Sequence, residues 1–174
     1  MNTLRIKADT CPMNPREDSC HSSVIIYSSH RYLLGDKRVE QGTEVSTRDN
    51  IVLPVYAYIH SGVALNTTGF SCPWDSGQSG FIYENKAEIR KEFGVKRISP
   101  KLRKQVENRM KAEIEVFSQY LNGEVYGFVI EDEQGEEVDS CWGFFGDNWK
   151  TNGMADYVPE ELHPQFEDVE VEYS

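Results

Sequence analysis

The order of patterns along this chain predicts an α+β fold on a mostly antiparallel sheet. Three observations carry the prediction. Short β-branched runs fill the first half: "TLRIKA", "VIIYS" and "IVLPVYAYIHSG". One short and one long helix pattern follow, within "ENKAEIRKEFG" and from Pro100 to about Leu121. A hairpin pattern then spans "EVYGFVIEDEQGEEVDSCWGFFG".

Each element has a local reason. Thr3 to Ala8 alternates apolar with polar residues, which is strand periodicity. "CPMNPREDSCHSS" holds two prolines and reads as a loop. Val24 to Ser28 is a short strand, and "HRYLLGDKRVEQGTE" an ordered loop. Ile51 to Gly62 is a longer strand. Pro54 cannot donate to a ladder, so it places this strand at an edge or a bulge. "HSG" then turns the chain into "VALNT" as a hairpin.

The first helix ends at Gly94, a natural residue after a helix C-terminus. Ser99 caps the second and Pro100 opens it. Asn122-Gly123 stops it. Leu102, Val106, Met110, Ile114, Phe117 and Leu121 recur at steps of four and three, which is one face. That stripe reads as core contact rather than a cofactor box. Lys101, Lys104 and Lys111 lie opposite, with Arg103 and Arg109 nearby. In the hairpin, Val125 to Glu131 goes out, Asp132 to Gly135 turns, and Glu137 to Phe145 returns. Residues 1–150 are expected to form one domain, and residues 151–174 a partly ordered acidic tail in which "VEVEY" can add a final strand.

The chain has 174 residues, enough to bury a core without staples. It holds no apolar run of membrane-spanning length, and "MNTLRIKADT" lacks the apolar region of a secretory signal. Cys11, Cys20, Cys72 and Cys141 are therefore expected to be reduced cytoplasmic thiols. Charge is unevenly distributed. Residues 86–112 hold 10 Lys/Arg and 3 Asp/Glu, whereas residues 113–174 hold 1 Lys/Arg and 17 Asp/Glu. The acidic third opposes nonspecific nucleic-acid binding and suits a basic partner. A solvated, soluble surface accounts for the same charge.

"DSCWGFFG" resembles the nucleophile segment of thiol proteases, but Cys141 falls on a strand among carboxylates. Only His163 follows it, and a thiol nucleophile needs a partnering histidine. Cys141 is read as a buried thiol. "CPWDSGQSG" lacks the Gly-x-Ser-x-Gly elbow, and Asp75-Ser76-Gly77 reads as a tight turn. A small enzyme centred on residues 70–81, with Cys72, Asp75 and Gln78, stays open as an alternative. No Cys-x-x-Cys or His-x-x-x-His spacing marks a metal site, and no phosphate-binding or dinucleotide motif appears. No cofactor is expected.

Several dense segments occur in one order: "NPRE", "HRYLLGDK", "LPVYAYIHSGVALNTTGFSCPWDSGQSGFIY", "RKEFGVKRIS", "YLNGEVYGFVIED" and "DSCWGFFGD". Across residues 14–147 the chain resembles small acidic proteins of bacteriophages, prophages and mobile elements of gut bacteria. It departs from that pattern in "DSCHSS", where a Trp-Asp-Asn-like run is expected, and in a short stretch between "LGDK" and "LPVY". The resemblance implies an anti-defence role in the cytoplasm of a bacterial host. Its most concrete form is an anti-CRISPR protein that inhibits a type II effector nuclease by stoichiometric binding. Such effectors hold nucleic acid in a basic channel. The expected contacts are Glu131, Asp132, Glu133, Glu136, Glu137 and Asp139 on the hairpin, with no membrane partner. The alternative is a nucleic-acid-binding accessory protein acting through Lys101, Lys104, Arg109 and Lys111.

Overall fold

In the computed structural model, residues 2–17 and 21–173 are described. Cys20, one of the expected thiols, lies outside them. The fold is α+β, with nine strands among the described residues in two mostly antiparallel sheets. The chain divides into two compact units, one of residues 1–14 with 119–174 and one of residues 15–118.

The first unit joins the two ends of the chain. Strand β1 (Thr3–Ala8) pairs antiparallel with β7 (Val125–Glu131), from Thr3 opposite Glu131 to Ala8 opposite Tyr126. β8 (Glu137–Phe145) returns beside β7, and β9 (Val171–Glu172) lies parallel to β1. The order is β8-β7-β1-β9. One face of this sheet presents Leu4, Ile6, Tyr126, Phe128, Ile130 and Phe144 to a buried cluster. Met154, Val158, Leu162 and Phe166 close that cluster from residues 151–174. These four recur at steps of four: Met154, Leu162 and Phe166 lie in two short 3₁₀ segments (Met154–Asp156 and Glu160–Glu167) and Val158 between them, and all four are buried. The acidic stretch is thus a layer of the core. Gln165 fastens it: its Oε1 accepts from the Leu4 amide at 2.8 Å, and its Nε2 donates to the Asn2 carbonyl at 3.0 Å.

A bulge settles where the aromatics of "DSCWGFFG" point. Trp142 faces Gly127 and Phe144 faces Tyr126, so Gly143 is the extra residue, at φ +89. The bulge resets the alternation. Cys141 and Phe144 both pack on the core, while the Trp142 ring covers Gly127. A Cβ at Gly127 would sit 2.3 Å from that ring.

The second unit holds β2 (Val24–Tyr27), β3 (Lys37–Arg38), β4 (Asn50–Ile59), β5 (Val63–Asn66) and β6 (Ser76–Asn85) in the order β3-β2-β6-β4-β5. β4 is therefore an interior strand. It tolerates Pro54 because β5 pairs only with Tyr56 to Ile59, so the ladder at Pro54 is one-sided. The register also shifts just beyond, between Val55 and Tyr56. Gly80 is required where β6 meets β2, since a Cβ there would lie 1.8 Å from the Ile26 carbonyl oxygen.

Helix α1 (Lys86–Glu92) is capped by Asn85, whose Oδ1 accepts from the Ala87 amide at 2.8 Å. Helix α2 (Pro100–Leu121) is capped by Ser99, whose Oγ accepts from the Leu102 amide at 3.1 Å. Its last three residues are assigned to the first unit. α2 buries Val106, Met110, Ile114 and Phe117, four of the six residues in the expected stripe. Leu102 and Leu121 are half-buried.

Candidate binding surfaces

The hairpin carboxylates divide by role. Glu131 accepts from Arg5 Nε at 2.7 Å, and the same guanidinium reaches Glu172 through Nη1 at 2.7 Å. Those two carboxylates raise the Arg5 pKa. Asp132 builds the turn: its Oδ1 accepts from the amides of Gln134 and Glu136 at 2.8 and 2.9 Å. Glu131 and Asp132 thus also hold the framework of the hairpin. Glu133, Glu136, Glu137 and Asp139 are exposed. Glu137 also accepts from Ser140 Oγ at 2.7 Å, and Asp139 from the Ser140 amide at 2.9 Å. The first unit carries 16 Asp/Glu against 3 Lys/Arg. Its exposed carboxylates continue through Asp156, Glu160, Glu161, Asp168 and Glu170.

The expected basic face of α2 divides too. Lys101 and Lys104 are exposed and Lys111 is half-buried. Arg109 is already occupied. Its Nη1 donates to Glu92 Oε1 at 2.6 Å and its Nη2 to Glu92 Oε2 at 3.0 Å, and Nη2 also pairs with Glu84. The Glu84 side chain has no solvent exposure. Burial pushes the Glu84 carboxyl above its ordinary range, opposed by Arg109, while Arg109 holds Glu92 below its own. Arg109 is the counter-charge of a buried carboxylate, which sets it apart from Lys101 and Lys104. Periodicity could not show this, because both partners lie on other elements.

A second guanidinium, this one buried, explains two of the motifs. Arg16 of "NPRE" grips Asp36 of "LGDK" with Nε to Oδ1 at 2.9 Å and Nη2 to Oδ2 at 2.7 Å. Its Nη1 reaches Glu113 Oε2 at 2.7 Å, and Nη2 also donates to the Ser23 carbonyl at 3.0 Å. Asp36 accepts in addition from the Ile25 amide at 2.7 Å. These residues lock the loop against β2 and α2.

In "FSCPWDSGQSGF" the turn falls earlier than expected. Residues 73–75 make it, Ser76 Oγ caps it on the Cys72 carbonyl, and Ser76 and Gly77 already belong to β6. Pro73 supplies the fixed φ that opens such a turn. The β4–β5 turn brings His60 to the same place. Its Nδ1 lies 3.5 Å from Asp75 Oδ2, and Cys72 Sγ lies 3.8 Å from that same oxygen. The carboxylate contacts both the thiol and the imidazole, and no hydrogen bond joins His60 to Cys72 among the described residues. Gln78 Nε2 donates to the Gly80 carbonyl at 3.3 Å, and Trp74 is 91% exposed. Cys141 is half-buried against the core of the first unit. His163 Nε2 faces the carbonyls of Ala155 and Val158 at 3.0 and 2.9 Å.

Among the described residues no cluster of three His, Cys, Asp or Glu side chains is arranged to hold a metal, and no helix is long and apolar enough to cross a membrane. No protein family, no curated protein and no solved structure matches this chain.

Proposed function

We propose that the protein is a stoichiometric binding inhibitor that acts against bacterial defence. Its acidic unit is presented to the basic channel of a nucleic-acid-handling protein, of the kind a type II CRISPR effector nuclease offers. The observation that carries this reading is the charge of the first unit, 16 Asp/Glu against 3 Lys/Arg. Glu133, Glu136, Glu137 and Asp139 stand exposed on a hairpin stiffened by Asp132 and by the Arg5–Glu131 pair. A rigid array of carboxylates competes for a phosphate channel with little ordering cost. The resemblance to phage proteins supplies the setting, the cytoplasm of an infected bacterium.

The test is a plasmid-cleavage assay with reconstituted guide-loaded type II effectors. Cleavage is expected to fall in proportion to added protein and to stop near one equivalent. Lysine at positions 133, 136, 137 and 139 together is expected to weaken inhibition by about tenfold or more, since each lost charge pair costs on-rate and complementarity. Full cleavage at every ratio across the effectors tried would retire this reading.

A further inference from the structure

A second charged surface lies in residues 15–118, and it has the opposite sign. Lys86, Arg90, Lys96, Arg97 and Arg103 line a concavity of about 400 Å³ with Ile98 in its wall. Three separate pieces of chain supply these cations: α1, the linker of residues 93–99, and the first turn of α2. The linker geometry is what collects them. Gly94 turns at φ +63, and the Val95 amide donates back to the Arg90 carbonyl at 3.0 Å. That folds Lys96 and Arg97 back towards the side of α1 that carries Lys86 and Arg90.

Internal pairing leaves much of this charge uncompensated. Lys86 Nζ donates to the carbonyls of Thr47 and Arg48 at 2.7 and 3.0 Å, and Arg103 Nη1 reaches Glu107 at 3.4 Å. No carboxylate among the described residues holds Arg90, Lys96 or Arg97. Of the two acids on α1, Glu92 is held by Arg109, and the exposed Glu88 lies 3.9 Å from Lys91. The sequence also breaks a local rule here. The N-terminus of α2 is its positive end, where acidic residues stabilise a helix. Its first turn carries no acid, and Lys101 and Arg103 stand there instead. Like charges gathered round a hollow at a helix N-terminus lower stability in the free protein. An anion in the hollow would remove that repulsion.

We infer that this concavity binds a multiply charged phosphate ligand. Three of its five cations are guanidinium groups, whose planar forks pair two-on-two with phosphate oxygens. Its volume is in the range of ligand sites. The field that matters is local, because the Debye length in physiological salt is about 8 Å. The chain's net charge of −11 therefore does not veto an anion here. The site differs from the basic face expected on α2: it uses residues before that helix and omits Arg109. It also goes beyond the inhibitor reading, which concerns the other unit.

The experiment uses the full chain and two probes, a fluorescent 12-nucleotide single strand followed by anisotropy and inorganic tripolyphosphate followed by calorimetry. Binding is expected in about 50 mM salt and is expected to weaken steeply at about 200 mM, as phosphate contacts do. R90Q/K96Q/R97Q is expected to lose tenfold or more for each probe bound, with an unchanged circular dichroism spectrum. K104Q/K111Q, outside the hollow, is expected to change affinity by less than threefold. Binding of both probes assigns the site to a nucleic-acid backbone, and binding of tripolyphosphate alone to a small polyphosphate; either supports the inference. It is overturned if wild type binds neither probe in low salt, if the triple variant binds like wild type, or if polyglutamate competes as well as tripolyphosphate. None of these outcomes depends on effector inhibition, so the two readings fail separately.

Discussion

Arg16 and Arg5 each hold two carboxylates, yet the Arg16 side chain is 5% exposed and that of Arg5 is 43% exposed. The contrast runs through the two units. Residues 15–118 bury the Arg16 guanidinium against Asp36 and Glu113 and set the part-exposed Arg109 on the fully buried side chain of Glu84. The unit of the chain ends keeps its interior apolar, from Leu4 and Phe128 to Phe166, and leaves its ion pairs at the surface. Similar contact distances therefore carry different consequences. Removing one partner of a buried pair strands a charge away from water. Removing one partner of an exposed pair lets solvent take its place.

Three measurements would break or sharpen that comparison. The largest effect is expected from Arg16→Met, which removes the buried guanidinium that both Asp36 and Glu113 contact. It should cost about 3–5 kcal/mol. Hydrogen exchange at the Ile25 amide, which donates to Asp36 at 2.7 Å, reads this within its own unit. A loss below about 1 kcal/mol would place this pair with surface bridges.

A smaller effect, with a diagnostic sign, is expected at the Arg109 cluster. The Glu84 carboxyl is raised above the ordinary 4.5 by burial. Between pH 4.5 and its native value, the folded state holds a proton that the unfolded chain has released. Stability from Glu84 is therefore fully present below 4.5 and is lost as pH rises through the native value. Glu92 is lowered by Arg109. Its contribution is present above 4.5 and is lost as pH falls through its native value. Urea midpoints should thus show the wild-type advantage over Glu84→Gln growing as pH drops from 7 towards 4.5. The advantage over Glu92→Gln should shrink as pH drops below 4.5. Parallel trends for the two variants would contradict the division of roles.

The smallest effect is expected from Arg5→Met. Exchange protection at Phe128 should stay close to wild type at physiological ionic strength, because solvent and salt screen this exposed pair. A collapse comparable to that of Arg16→Met would show that the two units do not differ in this respect.

Much of the fold was legible in local patterns. The cap at Ser99, the turn at Asp132 and the stripe of α2 each follow from chemistry within a few residues. The stretch from 151 to 174 was not, although its signal was present. Met154, Val158, Leu162 and Phe166 recur at steps of four, but the acidic residues between them read as a tail. The candidate surfaces were legible only in part. Residue type marked the acidic hairpin and the basic helix, and could not tell exposed carboxylates from Glu131 or a solvated cation from Arg109. His60 went unnoticed beside Cys72 and Asp75, because two different turns bring them together.

By itself, the sequence determined most of the elements, several of their ends and the sign of each stretch of charge, but not the strand Ser76–Asn85 or the 3₁₀ segments between residues 154 and 167. These depend on backbone preferences, caps and periodicity, which act over one or two helical turns. Tertiary structure alone decided which partners meet. β1 pairs with a strand more than a hundred residues away, and Arg16 and Arg109 find their carboxylates on other elements. The same packing separated charges that hold the fold from charges left facing solvent. That distinction rests on burial, and burial is a property of the assembled chain.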